Sequence, residues 1–208
     1  AISRAMDGLR FLEQNNLIIF KPIILYELAR TYQNIGRFNE SASLVHQMAE
    51  LKPLLGPVGE FWYAGMKAVD DFIRGDAASA ARLMDHAIDY IGRDGLTWAH
   101  AVIYFVRGQA RSELGEHEPA LRDIARLHEM ARRMDNRLLA HQCLLVEAEL
   151  ALNRGEEEAA LTALRQGLAL ARLVPLCHAY PWRPAVLARL MALALAHAID
   201  AEGALTAR

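Results

Sequence analysis

Leu28 to Pro53 reads LARTYQNIGRFNESASLVHQMAELKP, and two helices joined by a tight turn account for the order of its residue types. Ile24, Leu25, Leu28, Ala29, Tyr32 and Ile35 recur at steps of three and four, the stripe of a half-buried helix. Pro22 fits the first turn of that helix, where no N–H is needed, so the spacing predicts a first helix from about Pro22 to Ile35. Gly36 can take the left-handed conformation that ends a helix. Asn39 then reads as the N-cap of a second helix, whose apolar residues Ala42, Leu44, Val45, Met48, Ala49 and Leu51 run to a stop at Pro53. The predicted unit is a pair of antiparallel helices.

Outward from this stretch the pattern returns. Segments beginning at Ala1, Ser41, Ala80, Ala120 and Ala160 align at steps of 39 or 40 residues, and the last four follow turns at Gly36, Gly75, Gly115 and Gly155. A constant period of this size marks stacked helical units rather than a single globular core. Ala29, Ala68, Gly108 and Ala148 each stand seven residues before a turn glycine, and Ser41, Ala80, Ala120 and Ala160 each stand five after it. Small side chains at fixed places let the two helices of a pair cross closely. The expected fold is therefore all-α, a right-handed superhelical solenoid spanning residues 1–208 as one array. It comprises a partial unit over 1–16, helix pairs over about 22–53, 60–92, 97–133 and 137–173, and a closing helix or partial unit over 184–208.

The charge balance excludes several kinds of partner. With 23 Lys and Arg against 25 Asp and Glu, and acids interleaved even in the Arg-rich stretch from Arg107 to Arg137, the chain lacks the basic surface that binds nucleic acid directly. No apolar run reaches the ~18 residues of a membrane span, because Arg189 and His197 cut Leu187–Ile199 and Lys21-Pro22 cut Leu17–Tyr26. Cys143 and Cys177 lie in apolar surroundings and read as small buried hydrophobes, in keeping with a reducing cytoplasm. The chain begins in mid-repeat, as a piece of a longer protein would.

The stretch from Leu28 to Pro53 resembles a tetratricopeptide repeat, and the later units around Gly75, Gly115 and Gly155 resemble it more loosely. Tetratricopeptide units repeat every ~34 residues; here each is about five or six longer, with the excess expected between one unit's second helix and the next unit's first. Such lengthened units are similar to the superhelical sensor region of MalT-type, LuxR-family ATP-dependent regulators. Tyr180-Pro181-Trp182-Arg183-Pro184 also resembles the segment that closes their arrays. The resemblance implies neighbouring nucleotide-binding and DNA-binding modules in the same chain, with ATP belonging to the upstream module and no cofactor in this region. Tetratricopeptide domains that clamp a chaperone's C-terminal carboxylate carry a Lys/Asn/Arg set on successive first helices. Here those places hold Tyr26, Arg30, Gly65, Val69, Phe105 and Gln109, of which only Arg30 could serve.

Catalytic patterns are missing from the residues. Gly56-Pro57-Val58-Gly59 lacks the lysine of a phosphate-binding loop, and His117-Glu118 is followed by Leu121 where a zinc helix needs its second histidine. His178 beside Cys177 has neither a third ligand nor an activating base. Glu156-Glu157-Glu158 opens a helix, where negative charge is favourable, while Asp70-Asp71 near a helix end has no evident partner. An enzyme is not expected, and neither is a metal site.

The expected site is a surface. In a right-handed stack the first helices line a concave groove, whose exposed residues would be Tyr26, Arg30, Gln33 and Asn34, then Trp62, Val69 and Ile73, then Val102, Gln109 and Glu113, then Gln142, Glu149 and Asn153. Aromatics among a few hydrogen-bonding groups suit a peptide or a small-molecule inducer, although Trp62 and Phe105 could equally fill space between units. The expected function is signal sensing by a cytoplasmic transcriptional regulator, with a scaffold for protein assembly as the alternative.

Overall fold

The computed structural model describes residues 2–92, 97–173 and 181–199. Cys177, His178 and Tyr180, which the sequence reading singled out, and the end of the closing segment over 200–208 lie outside the described residues. Among the described residues there are ten α-helices and no strand. They are α1 (Ile2–Gln14), α2 (Lys21–Asn34), α3 (Phe38–Leu55), α4 (Pro57–Arg74), α5 (Ala77–Ile91), α6 (Trp98–Glu113), α7 (His117–Arg133), α8 (Arg137–Asn153), α9 (Glu157–Ala171) and α10 (Pro184–Ala196). One 3₁₀ turn, Ile18–Phe20, precedes α2.

Each helix packs on the next, and α2, α4, α6, α8 and α10 also touch one another in succession. This is the arrangement of paired helices in a row, with α2/α3, α4/α5, α6/α7 and α8/α9 as the pairs. The turn glycines Gly36, Gly115 and Gly155 have φ of 76° and Gly75 has 94°, so the backbone there needs the conformation that glycine adopts without a Cβ clash. Ser41, Ala80, Ala120, Ala68 and Ala148 are fully enclosed at the pair crossings. At Gly108 an added Cβ would stand 2.9 Å from Ile124 Cδ1 of the paired helix, which is why a larger residue would force α6 and α7 apart.

Two boundary expectations are corrected. Asn39 is not a cap: α3 already begins at Phe38 and no side chain caps it. The caps that do form are Asp76 on α5, Thr97 on α6 and Asn136 on α8, each accepting from the backbone N–H three residues on, which satisfies one of the donors a helix start leaves unpaired. Pro53 does not stop α3, which runs through it to Leu55 with the ring exposed. The break comes at Gly56, whose φ of 56° and ψ of −137° no helix can accommodate.

At the corner between α3 and α4 the extra length is also placed differently from expectation, whereas six residues do separate α5 from α6. Only Gly56 separates α3 from α4, each 18 residues long. At this junction the surplus is absorbed by longer helices rather than by a connecting loop. Such a sharp corner brings α4 over the last turn of α3, and a Cβ at Gly59 would lie 2.6 Å from the Lys52 carbonyl oxygen.

Candidate functional site

The central first helix is enclosed on all sides. Every residue from Ala101 to Ala110 of α6 is buried, whereas an amphipathic helix lining an open groove would leave one stripe in water. On the side toward α5 and α7, ion pairs cover the helix and floor a cleft of about 380 Å³. Arg107 donates a fork of hydrogen bonds to Asp123, at 2.9 and 2.6 Å, and a third at 2.8 Å to Asp85; Arg111 donates to the same two carboxylates at 3.0 and 2.8 Å. Bidentate geometry and a second carboxylate keep the Arg107 guanidinium charged despite its burial.

The opposite side of α6 is covered by the chain itself. Pro181, Trp182 and Arg183, between α9 and α10, form a strap across α4, α6 and α8. The Trp182 ring meets Phe105 edge-on with centroids 5.2 Å apart, and its Nε1–H donates to Gln142 Oε1 at 2.6 Å. Arg183 donates to the Glu113 carboxylate, and its guanidinium lies 6.0 Å from the centroid of the Phe72 ring. From α10, Arg189 donates to Asn153 Oδ1 at 2.9 Å, while Asn153 Nδ2 donates to Ser112 Oγ at 2.9 Å. The strap therefore supplies one aromatic ring and one guanidinium to a recess built by three first helices.

Beneath it lie polar groups without partners. Glu149 is 1% exposed and neither of its carboxylate oxygens has a hydrogen-bond partner; Gln109 is fully buried and its Oε1 is unpaired. An unmet buried acceptor costs ~1–3 kcal/mol, and a charge costs more. The carboxyl answers by holding its proton. Burial, and then the nearby Glu113 carboxylate, push Glu149 up to about 8, with Arg189 and Arg183 pulling the other way.

The expected groove residues thus fall into two groups. Gln109, Glu113, Gln142, Glu149 and Asn153 come together under or beside the strap, but the expectation that they line an open face is corrected, because Trp182 and Arg183 cover it. Tyr26, Arg30, Gln33, Asn34 and Trp62 belong to the other end. Tyr26 is buried against Trp62 and Trp98, with ring centroids 5.8 and 5.0 Å away, both edge-on. The cleft these rings share with Phe61, Met84 and Val102 leaves about 20 Å³ open to the centre of a water-sized sphere, room for about one water and far too little for a ligand. Trp62 here fills the space between units. Gln33 is buried and donates to Ser41 Oγ at 2.9 Å, Arg30 pairs with Glu27 at 2.5 Å, and Asn34 is exposed. Val69 and Val102 are buried and Ile73 is packed against the core.

Asp70 and Asp71, which had no evident partner in sequence, have several. Asp70 accepts from Arg74 Nε at 2.8 Å and from Ser41 Oγ at 3.4 Å; Asp71 accepts from Ser79 Oγ at 2.8 Å and pairs with Lys67. They tie α4 to α3 and α5. Two histidines are likewise engaged with backbone, His141 Nδ1 at 2.8 Å from the Gly167 carbonyl and His100 Nε2 at 3.0 Å from that of Gly92. Cys143 is buried, which pushes its thiol up and out of the reactive range. Among the described residues no three His, Cys, Asp or Glu side chains converge on one point, and no helix is long and apolar enough to cross a membrane.

Sequence reasoning missed the strap. Its partners stand 40 and 70 residues away, and no local period connects them. The available signal was chemical: a tryptophan and an arginine between two prolines, in a chain with two glutamates, Glu147 and Glu149, in the otherwise apolar run Leu144–Leu150. No protein-family model matches the chain, and no curated protein matches it.

Proposed function

We propose that this chain is the sensor and interaction region of a cytoplasmic transcriptional regulator, a right-handed, tetratricopeptide-like superhelix whose first helices carry the recognition face. An inducer or partner segment on that face biases the stack, and the stack passes the bias to neighbouring nucleotide-binding and DNA-binding modules of the same chain. A row of units suits this task because a small change at each interface adds up along the array. ATP acts in the neighbouring module, and this region contributes no catalysis, no cofactor and no direct contact with nucleic acid or membrane.

One observation carries the reading: Glu149 and Gln109, at matching places on consecutive first helices, are buried with their side-chain acceptors, Glu149 Oε1 and Oε2 and Gln109 Oε1, unmet. Stability alone selects against such groups, so their retention fits a face that changes its occupant. The scaffold alternative draws support from the closed aromatic cleft around Tyr26 and Trp62, where no ligand-sized volume is present.

The test uses the regulator with its flanking modules. Glu113→Gln and Glu149→Gln are expected to leave melting nearly as it was or raised, and to change signal-dependent transcription at least about ten-fold, the equivalent of ~1.4 kcal/mol of coupling. Unchanged signalling in both variants sinks the assignment of this face.

A further inference from the structure

The recess between α4, α6 and α8 is shaped for two neighbouring side chains of an extended segment. We propose that it is a recognition site for a peptide that presents a tryptophan followed by an arginine, and that Pro181, Trp182 and Arg183 are its resident occupant, displaced when such a segment arrives from a partner. This deepens the reading of the first helices as the recognition face and rests on it.

Each half of the recess names its ligand. Phe105 offers an edge-on aromatic contact and Gln142 Oε1 accepts the indole N–H at 2.6 Å. A flat ring with a donor at its rim satisfies both, which favours tryptophan over phenylalanine. Glu113 receives a guanidinium whose carbon lies 6.0 Å from the centroid of the Phe72 ring. Pairing with a carboxylate while lying over a ring suits arginine better than lysine.

The resident segment fills the recess incompletely. Glu113 is paired, yet Glu149 Oε1 and Oε2 and Gln109 Oε1, on the same face, stay unmet. A segment evolved only to seal this face would satisfy them. An incoming peptide with a further cation or N–H donor beside its arginine gains those bonds in addition to everything the strap makes, and so displaces it.

The strap can leave with α10 still anchored. Trp182 and Arg183 are only partly buried, and α10 has its own anchorage, with Val186, Leu190, Met191 and Ala194 packed in a cluster with α8 and α9. A tethered occupant acts at an effective concentration of order millimolar. That competition lowers the apparent affinity of the same sequence added in trans.

The experiment measures binding of a fluorescein-labelled peptide carrying residues 179–186 of this chain, AYPWRPAV, to the full chain by anisotropy. Expected is binding to a Trp182→Ala/Arg183→Ala variant at least about ten-fold tighter than to the unaltered protein, since the variant's own strap no longer competes. Adding Glu113→Gln to the variant should weaken the peptide at least about ten-fold, and a peptide with alanines in place of its tryptophan and arginine should not bind. Circular dichroism reports whether the double variant folds; if it does not, Arg183→Gln alone replaces it, with the same order of affinities expected. Equal affinity for strapped and strapless chains, or binding indifferent to Glu113, overturns the inference. Loss of the inference by that route leaves the recognition-face reading to its own signalling test, so the two fail separately.

Discussion

Glu149 concentrates at one residue the tension between stability and recognition. Its carboxyl faces Glu113 from α6, Arg183 from the strap and Arg189 from α10, and it hydrogen-bonds to none of them. In the folded chain it titrates near 8, whereas in the unfolded chain it has an ordinary carboxyl value near 4.5. Between those values the folded state holds one more proton than the unfolded state, so the contribution of Glu149 to stability falls as pH rises from about 4.5 to about 8 and is level above. Glu149→Gln removes the charge and keeps the shape. The variant should melt higher than the unaltered protein at pH 8, match it more closely at pH 5, and show a flatter pH dependence by thermal denaturation; identical pH profiles would show that Glu149 is not held protonated. The glutamate was legible in sequence as a polar residue on the first-helix face, but its burial was not. Burial depends on Trp182 and Arg183, and the spacing of α8 carries no information about a segment that arrives from beyond α9.

At the level of helices, periodicity and side-chain size are reliable because both act within one pair. The stripe Leu25, Leu28, Ala29 and Tyr32, the left-handed glycines and the small residues at Ala29, Ser41, Ala68, Ala80, Gly108, Ala120, Ala148 and Ala160 all concern helices that touch their immediate partner, whereas Ile35, expected on the same stripe, lies past the end of α2 and is exposed. Helix ends are less legible. Asn39 and Pro53 carry the right chemistry for a cap and a stop, yet α3 begins one residue earlier and passes through Pro53 to Gly56, because the corner with α4 is set by two glycines. The environments of Gly59 and Gly108 differ in a measurable way. A Cβ at Gly59 would meet the Lys52 carbonyl oxygen at 2.6 Å and the Lys52 Cα at 2.9 Å, both backbone atoms, while at Gly108 the obstruction is the free end of the Ile124 side chain. Gly59→Ala should therefore cost more than Gly108→Ala in urea denaturation, the latter staying within ~1 kcal/mol as Ile124 changes rotamer. Gly108→Leu cannot be absorbed that way and should cost ~1–3 kcal/mol. Glu157→Ala, on an exposed first turn, should fall within ±0.5 kcal/mol. A Gly108→Ala effect as large as that of Gly59→Ala would mean that the α6/α7 crossing is held as rigidly as the α3/α4 corner.

Across the whole molecule the packing divides into three apolar clusters in chain order: one over α1–α4 containing Leu25, Leu28 and Met48, one over α4–α8 containing Phe72, Phe105 and Leu127, and one over α8–α10 containing Leu164 and Leu190. Neighbouring clusters share a helix, and among the described residues α1 packs chiefly on α2 and the 3₁₀ turn Ile18–Phe20. In such a row each unit is stabilised by its neighbours, and the cost of a defect decays with distance along it. Trp182 packs against both the second and the third clusters, so the strap that covers α6 also couples the last helices to the centre. Hydrogen exchange resolves this. Leu25→Ala, deep in the first cluster, should lower amide protection in α2 and α3 while leaving α8 and α9 at the values of the unaltered protein. Trp182→Ala should lower protection in α6, α8 and α10 together and leave α2 and α3 alone. Were Leu25→Ala instead to reduce protection evenly from α2 to α9, the chain would be one cooperative body, and a ligand on the central recess could not act on one end without acting on the other. A graded response is what allows occupancy of the recess over α4, α6 and α8 to alter α10 selectively, since the strap that yields its place to a ligand is the direct lead into Pro184, the first residue of that helix.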